Sequence, residues 1–319
     1  MNFDSIFVHR YALKARGDLP LNRLSQRVKF EGALIKVDGG FGCIHPWPEL
    51  GDDPLDQQLL ALANGSRTLL TARTLRCCRL DSQARAAKKS LFDGLTIPRS
   101  HYSLPPGSLS VPPGFSRVKF KASSSAEAVE RIQGLPSHLR VRVDFNQGLS
   151  PAELTEFWIA LGESRDRIEF IEDPVRLVDS IWNQVITPLW SVIAIDRNIG
   201  NVGGGPAFRI VKPAVDDLAE QEPLAEMFDQ RLVFTSYMDH PVGQLFAAFE
   251  AASSLKRNPS RVVECGLVTH HLFDEADAFV SALGPPVPEL EIPSGYGLGF
   301  DDLLNNLPWT LLTATTSSC

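Results

Sequence analysis

Five short segments of this 319-residue chain carry residue types that could do chemistry together: Lys119-Phe120-Lys121, Asp144-Phe145-Asn146, Glu172-Asp173-Pro174, Asp196 and Lys212-Pro213. Each closes a run of β-branched or aromatic residues, and successive charged positions lie 16 to 28 residues apart. Taken singly, each reads as a charge where a strand emerges into solvent. Five consecutive strands ending in the order Lys, Asp, Glu, Asp, Lys are not accounted for by solvated rims. Three carboxylates gathered in one site repel and raise one another's pKa unless a cation lies among them. All-oxygen ligation by Asp144, Glu172 and Asp196 suits Mg2+, with Mn2+ also possible, and no soft ligand for zinc is at hand. Lys121 and Lys212 would flank such an ion from opposite sides. Beside a divalent cation and each other, their ammonium groups are expected to have depressed pKa values and to act as bases. Base plus metal suits removal of a proton α to a carboxylate.

For those residues to meet, the strands that carry them must share a mouth. Strand-like runs fall at Arg117–Lys121, Leu139–Phe145, Ile168–Ile171, Val192–Ile195, Phe208–Val211, Leu232–Phe234 and Val262–Val263, with a further short run near His101–Leu104. That makes about eight strands, with helical material between most of them. Such alternation calls for a parallel sheet, and eight units point to a closed (β/α) barrel whose strand C-termini face one end. An open doubly wound sheet is the alternative. The chain has no Gly-x-Gly-x-x-Gly after its first strand, and Gly203-Gly204-Gly205 comes late and precedes a strand.

The first hundred residues have a different texture. Val28–Phe30 and Ala33–Val37 read as strands, and Asp38-Gly39-Gly40 turns the chain as a hairpin would. After the loop His45-Pro46-Trp47-Pro48, helical spacing runs over Asp56–Leu62 and from about Arg67 to Phe92. Thr96 to Ser116 holds five prolines and two glycines and marks a boundary. The expected organisation is an α+β domain at 1–100, a catalytic barrel at 101–285, and a tail at 286–319 that returns to the first domain.

A net charge of −7 and the lack of any long Lys/Arg run argue against nucleic acid or an anionic membrane as partner, leaving a small-molecule carboxylate. No stretch approaches the roughly 20 apolar residues of a membrane span, and the N-terminal residues lack the plan of a signal peptide, so a cytoplasmic location is expected. The five cysteines, Cys43, Cys77, Cys78, Cys265 and Cys319, show no paired spacing and fit a reducing compartment. His270-His271, on a strand, would point to opposite faces and so make a poor metal pair. The oligomeric state is not legible; a monomer is compatible with the sequence.

Lys-x-Lys, Asp-x-Asn, Ile-Glu-Asp-Pro, Ile-Asp and Ile-x-Lys-Pro, in this order, resemble the acid/base and metal motifs of the enolase superfamily, whose lysine-base and magnesium chemistry is a known pattern. Leu139–Asn146, Arg165–Pro174, Gly266-Leu267 and the loop Gly42–Pro48 resemble the proteobacterial o-succinylbenzoate synthase family, of the muconate-lactonizing-enzyme-like subgroup. The resemblance implies an α/β fold, a modified (β/α) TIM barrel with an α+β capping domain formed by the N-terminal segment and the C-terminal tail. It further implies a lyase that dehydrates 2-succinyl-6-hydroxy-2,4-cyclohexadiene-1-carboxylate through an enediolate, in menaquinone (vitamin K2) biosynthesis. Lys121 would move the proton, Lys119 would help hold the substrate carboxylate, and Lys212 would stabilise the intermediate from the other face. Asp144, Glu172 and Asp196 would bind the metal, supported by Arg142 and Asn146, while Thr235, Ser236, Met238, Gly266 and Leu267 would line the pocket for ring and succinyl tail.

Three departures from the family pattern touch substrate contacts more than chemistry: Arg197-Asn198 after Asp196, Thr235–Pro241 in place of a serine-rich stretch, and Cys43 where a glutamate is usual. Racemases and epimerases of N-acyl amino acids or dipeptides share both lysines and are the first rival. Dipeptide epimerases, however, carry Asp-x-Asp where this chain has Glu264-Cys265-Gly266. A muconate-type cycloisomerase and a catalytically silent binding barrel are weaker rivals, the last disfavoured by the complete lysine and carboxylate set.

Overall fold

The structure, a computed structural model, describes residues 5–22, 24–176, 187–196 and 205–313. Near the N-terminus, β1 (Ile6–Lys14), β2 (Lys29–Val37) and β3 (Gly40–Ile44) form an antiparallel sheet. Val37 pairs with Gly40 across Asp38-Gly39, both at positive φ, which is the two-residue hairpin expected there. The two strand-like runs at 28–37 are one strand. Sequence reading missed β1 because only Val8 and Leu13 of it are buried, so it carries little period-two signal.

Two helices, α1 (Leu55–Ala63) and α2 (Leu69–Ala86), follow, the second started by a reciprocal Thr68–Thr71 capping box. Helix α2 lies directly on β3, since a Cβ at Gly40 would stand 1.9 Å from the Cys78 carbonyl and one at Gly42 2.7 Å from that of Thr74. The helix ends before the expected Phe92 because Lys88 turns left-handed (φ 53°), and Lys89 and Leu91 bond Gly297 of the tail instead, both at 2.8 Å.

Seven parallel strands form the second sheet, in the order β10-β9-β8-β7-β6-β5-β4. They are β4 (Tyr102–Ser103), β5 (Arg117–Lys121), β6 (Arg140–Asp144), β7 (Ile168–Glu172), β8 (Ile193–Ile195), β9 (Phe208–Val211) and β10 (Arg231–Phe234). Helices α3 (Ser125–Gly134), α4 (Pro151–Ala160), α5 (Leu218–Met227) and α6 (Pro241–Arg257) intervene, started by side-chain caps from Ser124, Ser150, Asp217 and His240. The eighth strand expected at Val262–Val263 is not regular. Isolated bridges Leu232↔Val262 and Thr235↔Gly266 join that segment to β10, and Ser100↔Cys265 joins it to the approach to β4. From Leu232 to Thr235 is three steps and from Val262 to Gly266 four, so one extra residue breaks the ladder as a bulge does. The ring still closes, through backbone bonds such as His101 N–H to the Cys265 carbonyl at 2.8 Å.

The tail ends in β11 (Thr310–Leu311), which adds to the first sheet beside β1. Buried Asp81 of α2 fastens tail to cap by accepting the N–H groups of Leu298 (2.6 Å) and Phe41 (2.9 Å). His270 and His271 lie on a short 3-10 turn (His270–Leu272) rather than a strand, with their rings buried and bonded to the Gly284 and Ser103 carbonyls. Burial lowers both to about 4, which keeps them neutral. Cys43, Cys77, Cys78 and Cys265 are free thiols, and Cys319 lies outside the described residues. Among the described residues no helix is long and apolar enough to cross a membrane.

Cap and barrel meet at Trp47. Its fully buried indole donates to the Tyr237 carbonyl (2.9 Å), and Asp52 accepts from both the Trp47 N–H (2.8 Å) and the Tyr237 hydroxyl (3.1 Å). Trp47→Ala should cost about 3–5 kcal/mol, as for other buried aromatics cut to alanine. Urea denaturation measures it, and a loss under about 1 kcal/mol would show that the cap is held elsewhere.

Candidate active site

Strand register sets the site. Lys121 is the cross-strand partner of Asp144, and Asp144 that of Glu172, so three charged residues stand side by side at spacings of roughly 4.8 Å. Glu172 pairs with Ala194, which places Asp196 two residues further along, just beyond β8. Lys119 and Lys121, two apart on β5, point the same way, and Lys212 follows the end of β9. The sequence-derived lysine and carboxylate set is thus brought to one end of the barrel.

Each carboxylate there meets an ammonium group. Lys119 Nζ lies 2.6 Å from both Glu172 oxygens and 3.3 Å from Asp144, Lys121 Nζ lies 2.5 Å from Asp144, and Lys212 is hydrogen-bonded to Asp196. Burial pushes the Lys119 and Lys212 ammonium groups down, but Glu172 and Asp144 for the first and Asp196 for the second more than reverse this, so both are raised. The depressed values expected from sequence are for lysines beside a divalent cation; here Lys119 and Lys212 face carboxylates instead. Direct pairing with carboxylates outweighs desolvation and like-charge repulsion. Asp144 is held well below the ordinary range by Lys121 and Lys119 despite its burial. Glu172 is pushed up to about 7 by burial and by Asp144 and Asp196, although Lys119 opposes it.

As placed, no three of the described His, Cys, Asp or Glu side chains converge on one point. Each acid turns to its lysine instead. The donor chemistry still fits a hard divalent ion: three neighbouring carboxylates, all oxygen, with Glu172 still raised against an ammonium, a row that calls for more positive charge.

These side chains line a cavity of about 310 Å³ together with Asn146, Thr235, Ser236, Met238 and Gly266. Ser236 is hydrogen-bonded to Thr269 at 2.6 Å, and Asn146 follows Asp144 at φ 48°, its N–H donating to that carboxylate at 2.9 Å. Arg142 and Leu267 do not reach the cavity. Arg142 is fully buried against Glu169 (2.9 Å) and His101 (2.6 Å), and the Leu267 N–H donates to Ser100 Oγ at 2.9 Å. Cys43 is also elsewhere, 3.2 Å from the Tyr11 hydroxyl, so its departure from the family pattern does not touch the cavity wall. Arg197 and Asn198 lie outside the described residues.

Sequence reading missed several lining residues. His101 sat in a run taken only as a short strand. Asp216, which burial raises to about 6, accepts the Lys212 N–H at 2.6 Å, and its place four residues after that lysine was a usable signal. Leu21, Asn22 and Leu50 reach in from the cap, which nothing in their local pattern announces.

An incomplete parallel ring with charged strand ends under an antiparallel cap defines the enolase-superfamily architecture. Solved structures agree: a dipeptide epimerase from Enterococcus faecalis V583 complexed with Mg and L-Leu-L-Tyr superposes with a TM-score of 0.72 at 14% identity, covering 94% of this chain and 99% of that one. Another from Cytophaga hutchinsonii, complexed with Mg and D-Ala-L-Val, gives 0.67 at 17% identity over 98% and 100%. Residues 6–84 match the family described as O-succinylbenzoate synthase, N-terminal domain. The o-succinylbenzoate synthase of Bdellovibrio bacteriovorus is 32% identical over 313 residues, 91% of this chain and 93% of that protein. The chain belongs to the o-succinylbenzoate synthase family, a family of carbon–oxygen lyases.

Gly266 is where a single methyl group would disturb the site. A Cβ there would stand 2.6 Å from His101 Cε1 and 3.0 Å from Thr235 Cγ2. Gly266→Ala is expected to force the imidazole off Arg142 and to cost about 1–3 kcal/mol, as overpacking does. An unchanged denaturation midpoint with His101 still on Arg142 in a crystal structure would contradict this.

Proposed function

We propose that this chain is an o-succinylbenzoate synthase, removing water from 2-succinyl-6-hydroxy-2,4-cyclohexadiene-1-carboxylate to give 2-succinylbenzoate on the route to menaquinone, in the cytoplasm. What carries the reading is the paired row Lys121–Asp144, Lys119–Glu172 and Lys212–Asp196 lining one cavity in a chain of this family. Mg2+, or Mn2+ in its place, would be held by Asp144, Glu172 and Asp196 and would supply charge stabilisation for the enolised carboxylate. An ion held there would compete with the lysines for those acids and would leave their amino groups free to act on the substrate.

Lys121, with the most exposed side chain of the three lysines, takes the proton from the carbon bearing the ring carboxylate. It then gives that proton to the departing hydroxyl on the same face, so one carbon–hydrogen and one carbon–oxygen bond break, water leaves, and the ring becomes aromatic. Lys119, between two carboxylates, helps hold the substrate carboxylate, and Lys212 faces the intermediate from the other side without moving a proton. Asn146 steadies the strand end, Arg142 acts from beneath, Thr235, Ser236, Met238 and Gly266 shape the wall for ring and tail, and Leu267 supports that wall from behind through its N–H bond to Ser100. Residues 1–100 and 286–319 serve as the cap that excludes water, over a catalytic barrel at 101–285.

An epimerase reading gains nothing from the closing segment. Glu264, at the place where dipeptide epimerases carry Asp-x-Asp, pairs with Arg117 at 2.6 Å and does not line the cavity. Loss of the cyclohexadiene absorbance is expected with Mg2+ and not with chelator, and Lys121→Ala should lower kcat by about 10²–10⁴-fold or more. Deuterium exchange into N-succinyl amino acids without dehydration would replace this reading by a racemase. Added Mg2+ should also raise the melting temperature, increasingly with the logarithm of its concentration above the dissociation constant, and Glu172→Gln should remove that rise; a metal response equal in the variant would place the ion elsewhere.

A further inference from the structure

We propose that His101 is a specificity-determining residue of this cavity: a neutral imidazole, held with its proton on Nε2, that donates a hydrogen bond to a substrate oxygen remote from the reacting carboxylate. The inference rests on the function proposed above only for the identity of that oxygen. Arg142 Nη1 lies 2.6 Å from His101 Nδ1. A guanidinium has donors and no acceptor, so Nδ1 must offer its lone pair, and a neutral ring then carries its hydrogen on Nε2.

The guanidinium is not free to turn away. Its Nε donates to Glu169 at 2.9 Å, and its Cζ lies 4.8 Å from the centroid of the Phe170 ring. Glu169 is shared with Arg117 (2.8 Å), which in turn reaches Glu264 (2.6 Å). A chain of alternating charges inside the barrel thus fixes the tautomer from below. Burial first, and then Arg142, holds the imidazolium form well out of reach at neutral pH.

The opposite edge of the ring faces the cavity wall at Gly266, where only a missing Cβ leaves room for Cε1 and Nε2. Among the described residues no protein group is hydrogen-bonded to Nε2. Beside it, Thr235 Oγ1 is buried and has no partner among the described residues. The closing segment that carries Gly266 stands across the ring from β7 and its Glu172. An acid bound by its carboxylate beside Glu172, where the Lys119 ammonium also lies, and long enough to span to the closing segment would therefore present its far end to His101. The matching group is an acceptor, a ketone or second carboxylate oxygen, and ligands without one would leave a buried donor unpaired.

Two measurements on the full chain test this. Nitrogen-15 NMR of the ligand-free protein at neutral pH should show His101 with an unprotonated Nδ1 and a protonated Nε2; the reverse tautomer or an imidazolium would overturn the proposal. His101→Leu should raise KM and the dissociation constant of 2-succinylbenzoate on the order of tenfold, with benzoate binding unchanged, and His101→Gln, whose amide can reach the Nε2 position, should recover part of the loss. Equal weakening for benzoate, or no weakening at all, would overturn it. A wild-type protein without turnover overturns the reaction proposed above, while the tautomer seen in the same sample still decides His101.

Discussion

Charge balance at the strand ends governs this molecule. Asp144 and Glu172 are almost wholly buried, and neighbouring strands in register give them no distance from one another. Carboxylates so placed are tolerable only beside cations, because desolvation and mutual repulsion both oppose their charged forms. Lys119, Lys121 and Lys212 meet that demand in the structure described. The same demand makes the row chemically suited to a hard cation.

Beneath the row, the barrel interior departs from a purely apolar filling. Arg117, Glu169, Arg142 and His101 form a continuous polar column inside a ring whose outward faces carry Val118, Phe120, Val141 and Val143. Buried ion pairs of this sort add little net stability over apolar packing, yet removing one partner strands the next. The column is better understood as positioning, since every member has its orientation set by the one below. Above the row, Trp47, Asp52 and Tyr237 tie the cap to the loop after β10, the loop that also supplies Ser236 and Met238 to the cavity.

Much of this was legible in the sequence for a physical reason. Short β-branched runs ending in charges at regular intervals have few explanations besides a parallel ring, and the order of those charges carries the chemistry. Legibility failed where tertiary contacts overrule local pattern. β1 is too exposed to show alternation, α2 gives up its last turn to bonds with Gly297, and the closing segment holds an extra residue that no periodicity reveals. The close pairing of each lysine with one carboxylate was not legible, because sequence places the lysines near one another but does not show which acid lies within hydrogen-bonding distance of each. His101 was missed because its meaning depends on Arg142, 41 positions away.

The edge strand β11 has a consequence for how the molecule comes into being. It pairs with β1, and Thr310 Oγ1 donates to the Val8 carbonyl across 302 positions of chain. Contacts of such separation form late, after the chain entropy between them has been lost. The antiparallel sheet therefore gains its fourth strand only when this distant segment docks, and that edge is the part of the sheet with the largest chain entropy to overcome.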